Sequence, residues 1–380
     1  MTIPQMLRAL IGANSISSVI PTIDQGNRAV IELLAGWLED LGFHTEIMSL
    51  DDPRKANLIA TLGTGPGGLV LAGHTDTVPC DDSLWRNDPF ALTERDNRFY
   101  GLGTSDMKGF FALAIEAAKA FSAADLQQPL IILATADEES SMAGAKALAA
   151  AGRPRARCAV IGEPTGLKPI TMHKGIMVGK LVIAGRSGHS SNPVLGANAM
   201  HTLQRVLTEL VTFQQELKAR YRDPLFAVDY PTLNLGCVHG GDNPNRICGH
   251  CELGFEIRPL PGMDMDELQR LLEARLLPLG GDNGTPVTLS HYQVPAFSAA
   301  GTSDLVAVCE KLTGYGAEAV AFATEAPYLH DLGMDVVVLG PGDIDQAHQP
   351  DEFLALARID PMVATLRALI THYCLDSAPG

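Results

Sequence analysis

The sequence predicts an α/β fold: a sheet covered by helices on both faces, with a compact α+β domain inserted into it. Three observations carry this. Short, almost wholly apolar runs recur at residues 68–73, 130–135, 158–162 and 336–340, each ending in polar residues. Helical stretches, such as residues 108–120 and 143–151, lie between them, so the runs read as strands buried on both faces. From about residue 175 to residue 289 the rhythm changes to longer helices among alternating strands, and then the first pattern resumes.

Residues 4–41 read as helical, with Ile31, Leu33, Leu34, Trp37 and Leu38 on one face. The run 63–68 matches GxGxxG, but a strand-like run follows it instead of a helix. A phosphate loop needs that helix, so this run predicts a hairpin turn. Within the insert, 180–184 reads as a strand, 197–217 as a long helix and 253–257 as another strand. Residues 264–276 read as a second helix, opened by an acidic turn that suits the helix dipole. The expected domains are 1–175 with 290–380, and an insert at 176–289.

A chain of 380 residues accommodates two domains. Its formal charge of −16 repels nucleic acid and anionic membrane, both of which are bound through cationic patches. The seven cysteines are an odd number, scattered along the chain, which suits free thiols in a reducing compartment. No apolar run approaches the roughly 20 residues needed to cross a bilayer, and no signal-peptide pattern opens the sequence. The expectation is a cytoplasmic protein. Cys248 and Cys251 lack a second pair at zinc-ribbon spacing, and no nucleophile elbow or His-Glu-x-x-His helix is present.

Candidate chemistry gathers where the apolar runs end. His74 and Asp76 follow the first, Asp137, Glu138 and Glu139 the second, and Glu163 the third, while His348 stands in the loop after the fourth. Asp106 adds a carboxylate from a loop before a helix. In open α/β sheets, ligands bind beyond the carboxyl ends of strands, so groups far apart in sequence meet there. Two histidines and three carboxylates satisfy two zinc-like ions sharing one carboxylate. One acid must stay free to accept a proton from water, and adjacent Glu138 and Glu139 supply one of each kind. Asp76, two residues after His74, is placed to hold the other ring nitrogen. Taken alone, His189 reads as a turn residue and Arg258 as half of a surface ion pair.

The runs GHTDTVP, GLGTSDMKG, TADEE, IGEPT, GRSGHSS, NRICxxCEL, IRPLPG, FATEAP and LGPGxxxQAHQPDE occur in order over nearly the whole chain. Together they resemble the two-zinc family that holds aminoacylases, succinyl-diaminopimelate desuccinylase and carboxypeptidases. The resemblance implies a zinc-peptidase-like catalytic domain with a central mixed sheet, and a ferredoxin-like insert serving as dimerisation and lid domain. It implies two Zn2+ ions, with Co2+ able to substitute, and Asp106 bridging them. His74 and Glu163 would complete one ion, and Glu139 and His348 the other. Glu138 would be general base and then acid, Asp76 would orient His74, and the Asp106–Met107 peptide would be cis. His189 would reach the partner's site in a homodimer and steady an oxyanion, while Asn245 and Arg258 would bind the substrate carboxylate. Within the family the resemblance points to an N-acyl amino acid, N2-acetyl-L-ornithine, deacetylated in arginine biosynthesis. Glu325 is then the candidate partner of the substrate ammonium. Desuccinylase, acetylcitrulline deacetylase and aminoacylase specificities stay open, as does a non-catalytic metal- or amino-acid-binding role.

Overall fold

The structure, a computed structural model, describes residues 1–299 and 304–375. It divides into two compact units: Met1–Thr171, Ala299–Glu318 and Thr324–Gly380 form the first, Met172–Ser298 with Ala319–Ala323 the second. The sequence placed these borders at 176 and 289. The second unit begins a few residues earlier, at Met172, and runs on to Ser298.

In the first unit, strand Leu69–His74 runs parallel to Leu130–Thr135 on one side and Cys158–Ile161 on the other. Asp335–Val338 continues the parallel set beyond Cys158–Ile161. Ala56–Leu62 and then His44–Ser49 add antiparallel strands on the opposite side, so the sheet is mixed. Every residue of Leu69–His74, Leu130–Thr135 and Cys158–Ile161 is buried, as their unbroken apolar character demands. Helices supply the cover: Met6, Leu10, Ile31, Leu34, Phe110, Leu113 and Leu366 all join this core. Each such side chain withdrawn from water contributes about 1.5–3 kcal/mol. Among the described residues no helix is long and apolar enough to cross a membrane.

Two expectations are corrected here. Residues 4–41 form two helices, Ile3–Gly12 and Arg28–Asp40, with an irregular segment between them. Its serines explain the break: Ser15 Oγ donates to the Thr75 carbonyl at 2.7 Å and Ser17 Oγ to the Asp137 carboxylate at 2.8 Å. Short hydroxyl side chains that find such partners compete with helix formation. Nor does the glycine-rich turn close a hairpin. Ala56–Leu62 and Leu69–His74 both pair with Leu130–Thr135, which lies between them. Gly68 has φ +85°, and a Cβ there would lie 2.0 Å from the Pro129 carbonyl oxygen, so only glycine passes.

The second unit runs strand Ile176–Ala184, helix Ala199–Arg220, strands Thr232–Gly240 and His250–Arg258, helix Met265–Leu276 and strand Val287–Val294. His250–Arg258 lies between Thr232–Gly240 and Ile176–Ala184, Val287–Val294 pairs with the far side of Ile176–Ala184, and every pairing is antiparallel. This is the ferredoxin-like order. Alternate residues Met177, Leu181, Ile183, Leu253, Phe255 and Ile257 bury one face with Val206, Leu210, Leu268 and Leu272 of the helices. The acidic turn at 264 is an N-cap: the Asp264 carboxylate accepts from the N–H of Asp266 and Glu267.

Candidate active site

Because Leu69–His74, Leu130–Thr135, Cys158–Ile161 and Asp335–Val338 are parallel, their carboxyl ends share one edge of the sheet. His74 is the last residue of its strand. Glu138, Glu139 and Glu163 stand a few residues beyond theirs, and His348 comes in on the loop that follows Asp335–Val338. The structure brings all of them together with Asp106. Asp106 Oδ1 lies 3.1 Å from His74 Nε2, while its Oδ2 lies 3.6 Å from His348 Nε2. Glu163 is 3.7 Å from His74 Nε2, and both Glu139 oxygens are 3.1 Å from His348 Nε2. Ligand atoms of His74, Glu138 and Glu163 lie within 4.8 Å of one another, as do those of His74, Asp106 and Glu139.

Four carboxylates around two imidazoles leave a surplus of negative charge in a poorly hydrated place. The Glu138 carboxyl is pushed well above its ordinary range, by burial first and then by Glu163. Burial raises Glu163 to about 7 against the pull of His74, and raises Asp76 to about 6. Burial works against protonation of His74, yet Glu163 and Asp106 outweigh it and lift the imidazole well above its usual range. His348 rises to about 9 through its bond with Glu139. Acids and imidazoles displaced upward together mark a site short of positive charge. Nitrogen and oxygen donors converging at these spacings are the donor set of a divalent cation. The residues fit a metal cofactor.

The main chain and a few buried acids hold this constellation. His74 Nδ1 lies 3.0 Å from the Asp76 carbonyl oxygen, to which its N–H donates, and this turns Nε2 toward Asp106 and Glu163. The Asp76 carboxylate is farther off, 3.7 Å from Nδ1. It accepts instead from the N–H of Glu138 at 3.2 Å and of Glu139 at 3.0 Å. Asp76 thus orients the histidine through its main chain and the acid pair through its side chain. Glu352 went unassigned in the sequence. Buried at 1% exposure, it accepts from the N–H of Gly103, Ser105 and Asp106 at 2.7–3.0 Å and steadies the loop carrying Asp106. Burial, then the charge of Asp106, pushes its carboxyl to about 8. Its place at the end of QAHQPDE was the one signal, and nothing local separates it from exposed Asp345. The Asp106–Met107 peptide is cis.

Glu325 does not stand on a surface open to a substrate ammonium. It is 1% exposed, accepts from Thr135 Oγ1 at 2.8 Å, and its carboxyl is pushed to about 8 by burial. Its run opens the helix Ala326–Asp331, whose start carries the side chain into the core.

His189, Asn245 and Arg258 lie in the second unit. His189 and Asn245 are exposed on neighbouring segments, joined by the Ser190 N–H bond to the Asn245 carbonyl at 3.0 Å. His189 Nδ1 accepts from Ser191 Oγ at 2.7 Å. Arg258, half-buried at its strand end, makes a two-point pair with Glu256 at 2.7 and 3.1 Å. Cys248 and Cys251 are buried with sulfurs 3.5 Å apart, and the described cysteines are free thiols.

Residues 70–372 match Peptidase family M20/M25/M40. An acetylornithine deacetylase of Pasteurella multocida is 48% identical over 373 residues, covering 97% of each chain. Another, of Proteus mirabilis, is 48% identical over 377 residues, 98% of this chain and 97% of its own. Among solved structures, an M20 family metallo-carboxypeptidase from Sulfolobus solfataricus has a TM-score of 0.78 at 18% identity, covering 97% of this chain and 98% of its own. A Bacillus subtilis dinuclear metal binding peptidase of the M20 family has a TM-score of 0.66 at 15% identity, over 97% of each chain. These two share the fold.

Proposed function

The chain belongs to peptidase family M20/M25/M40 and is a metal-dependent amide hydrolase, and on that premise we propose that it releases ornithine and acetate from N2-acetyl-L-ornithine. The near half identity to acetylornithine deacetylases over almost the full chain supports this choice of substrate. The observation that carries the hydrolytic reading is the divergence of the acid pair: both Glu139 oxygens face His348, whereas Glu138 groups with His74 and Glu163.

The proposed cofactor is two Zn2+ ions, replaceable by Co2+. His74, Asp106 and Glu163 would hold one, and Asp106, Glu139 and His348 the other. When bound, such ions polarise an amide carbonyl and lower the pKa of a water molecule. Glu138 then moves the protons. Its carboxylate takes one from the attacking water as the new C–O bond forms, and returns it to the leaving nitrogen as the C–N bond breaks. Asn245 and Arg258 would bind the substrate carboxylate, Arg258 exchanging Glu256 for it. The resemblance further supports a cytoplasmic homodimer in which the partner's His189 steadies the developing oxyanion.

A panel of N-acyl amino acids tests this with zinc- or cobalt-loaded protein. Acetylornithine is expected to exceed acetylcitrulline, acetylmethionine and succinyl-diaminopimelate in kcat/KM by about tenfold or more. A different best substrate replaces the specificity. Hydrolysis of none of them returns the chain to a binding role.

A further inference from the structure

We infer that Lys55 is a positioning residue for the Glu138–Glu139 pair, acting through Asp137; this deepens the hydrolase reading and rests on it. Lys55 precedes strand Ala56–Leu62 and is 9% exposed. Its ammonium lies 2.7 and 2.9 Å from the two carboxylate oxygens of Asp137, and 2.9 Å from Asp24 Oδ1. Both aspartates are buried. Arg54 also pairs with Asp24, at 3.0 Å, and Ser17 Oγ donates to Asp137 at 2.8 Å. Taking one ion out of such a buried set leaves its partners uncompensated, which is far costlier than never having built it.

Asp137 is where this bears on chemistry. It has φ +61°, a left-handed conformation that aspartate adopts more readily than most residues with a side chain. Its carbonyl accepts the N–H of Ser141 at 3.0 Å and of Met142 at 2.7 Å, so the chain reverses sharply after strand Leu130–Thr135. The two residues in that reversal next to Asp137 are Glu138 and Glu139. Asp76 holds their N–H groups from the other side. The acid pair therefore hangs between two anchors, and Lys55 fixes the second while offsetting its charge. Lys55 bonds to neither glutamate, so its influence passes through the main chain.

Lys55→Met removes the ammonium and keeps the aliphatic stem; Lys55→Arg keeps the charge. Asp137→Asn keeps the shape and removes the charge that Lys55 answers. The full chain is read two ways: kcat and KM for N2-acetyl-L-ornithine, and Zn2+ dissociation in competition with a chelating dye. Lys55→Met is expected to lower kcat roughly 10–100-fold with KM within about threefold, and to loosen Zn2+ by a similar factor. Lys55→Arg restores most of both. Should Lys55→Met not fold, Asp137→Asn must show the same kcat loss below its own melting transition. Wild-type kcat and Zn2+ affinity in the folded variants overturn the assignment, and so does a rise in KM with kcat intact. If the unmodified protein cleaves no acyl amino acid, the hydrolase reading falls, and the Zn2+ competition still decides for or against Lys55.

Discussion

His74 and His348 face the same Asp106 from its two oxygens, yet the chain holds them by different means. His74 ends a central strand, its side chain 1% exposed and its Nδ1 fixed by the Asp76 carbonyl. His348 sits in a loop at φ +60° with its side chain 54% exposed, aimed by its pairing with Glu139. One ligand is oriented by the sheet before any ion arrives, and the other relies on a loop and on the carboxylates of Glu139 and Asp106. Ion retention on the two sides should therefore differ, because preorganisation is what separates tight sites from loose ones.

The largest effects test that asymmetry. His74→Ala is expected to abolish turnover and to lose the ion that His74 would hold with Asp106 and Glu163, leaving at most the more loosely held one. His348→Ala should retain about one ion per chain by elemental analysis. Loss of both ions from His348→Ala would break the comparison. Next comes Glu138→Gln, expected to lower kcat on the order of 10³–10⁴-fold while keeping both ions. An active glutamine variant removes Glu138 as the proton carrier.

Glu352→Gln should cost roughly 10–100-fold in kcat, since one end of an amide is a donor and cannot accept from the N–H groups that Glu352 now serves. Because Glu352 supports Asp106, which faces both imidazoles, affinity on the two sides should fall together. Loosening of one ion alone would show that Asp106 is not shared.

The smallest effect concerns a buried histidine outside the site. His173 is as buried as His74, but burial pulls its imidazole down to about 4. Unfolded, it takes a proton near 6.5, so the unfolded state binds more protons as pH falls. Its stabilising contribution is complete above 6.5 and is lost between 6.5 and about 4, by at most about 3 kcal/mol. His173→Gln should narrow the fall in Tm between pH 7 and pH 5. An equal fall in both proteins would mean that carboxylate neighbours are not what separates the two histidines.

What the sequence by itself determined is the part governed by local pattern. A strand buried on both faces must be apolar without interruption, so the central strands were legible, and parallel strands must end at one edge, so their terminal His and Glu residues had to meet. The insert showed in its own periodicity, and its second helix in the acidic turn that opens it. Tertiary structure decided the rest, because partner choice among buried polar groups leaves no local trace. Lys55 finds Asp137 82 residues away, and Glu352 reaches Asp106 across 246. The turn at 63–68 looked like a hairpin because a loop's composition does not say that a third strand lies between those it joins. Glu325 shows the same limit: its charge alone did not say that it is 1% exposed and bonded to Thr135.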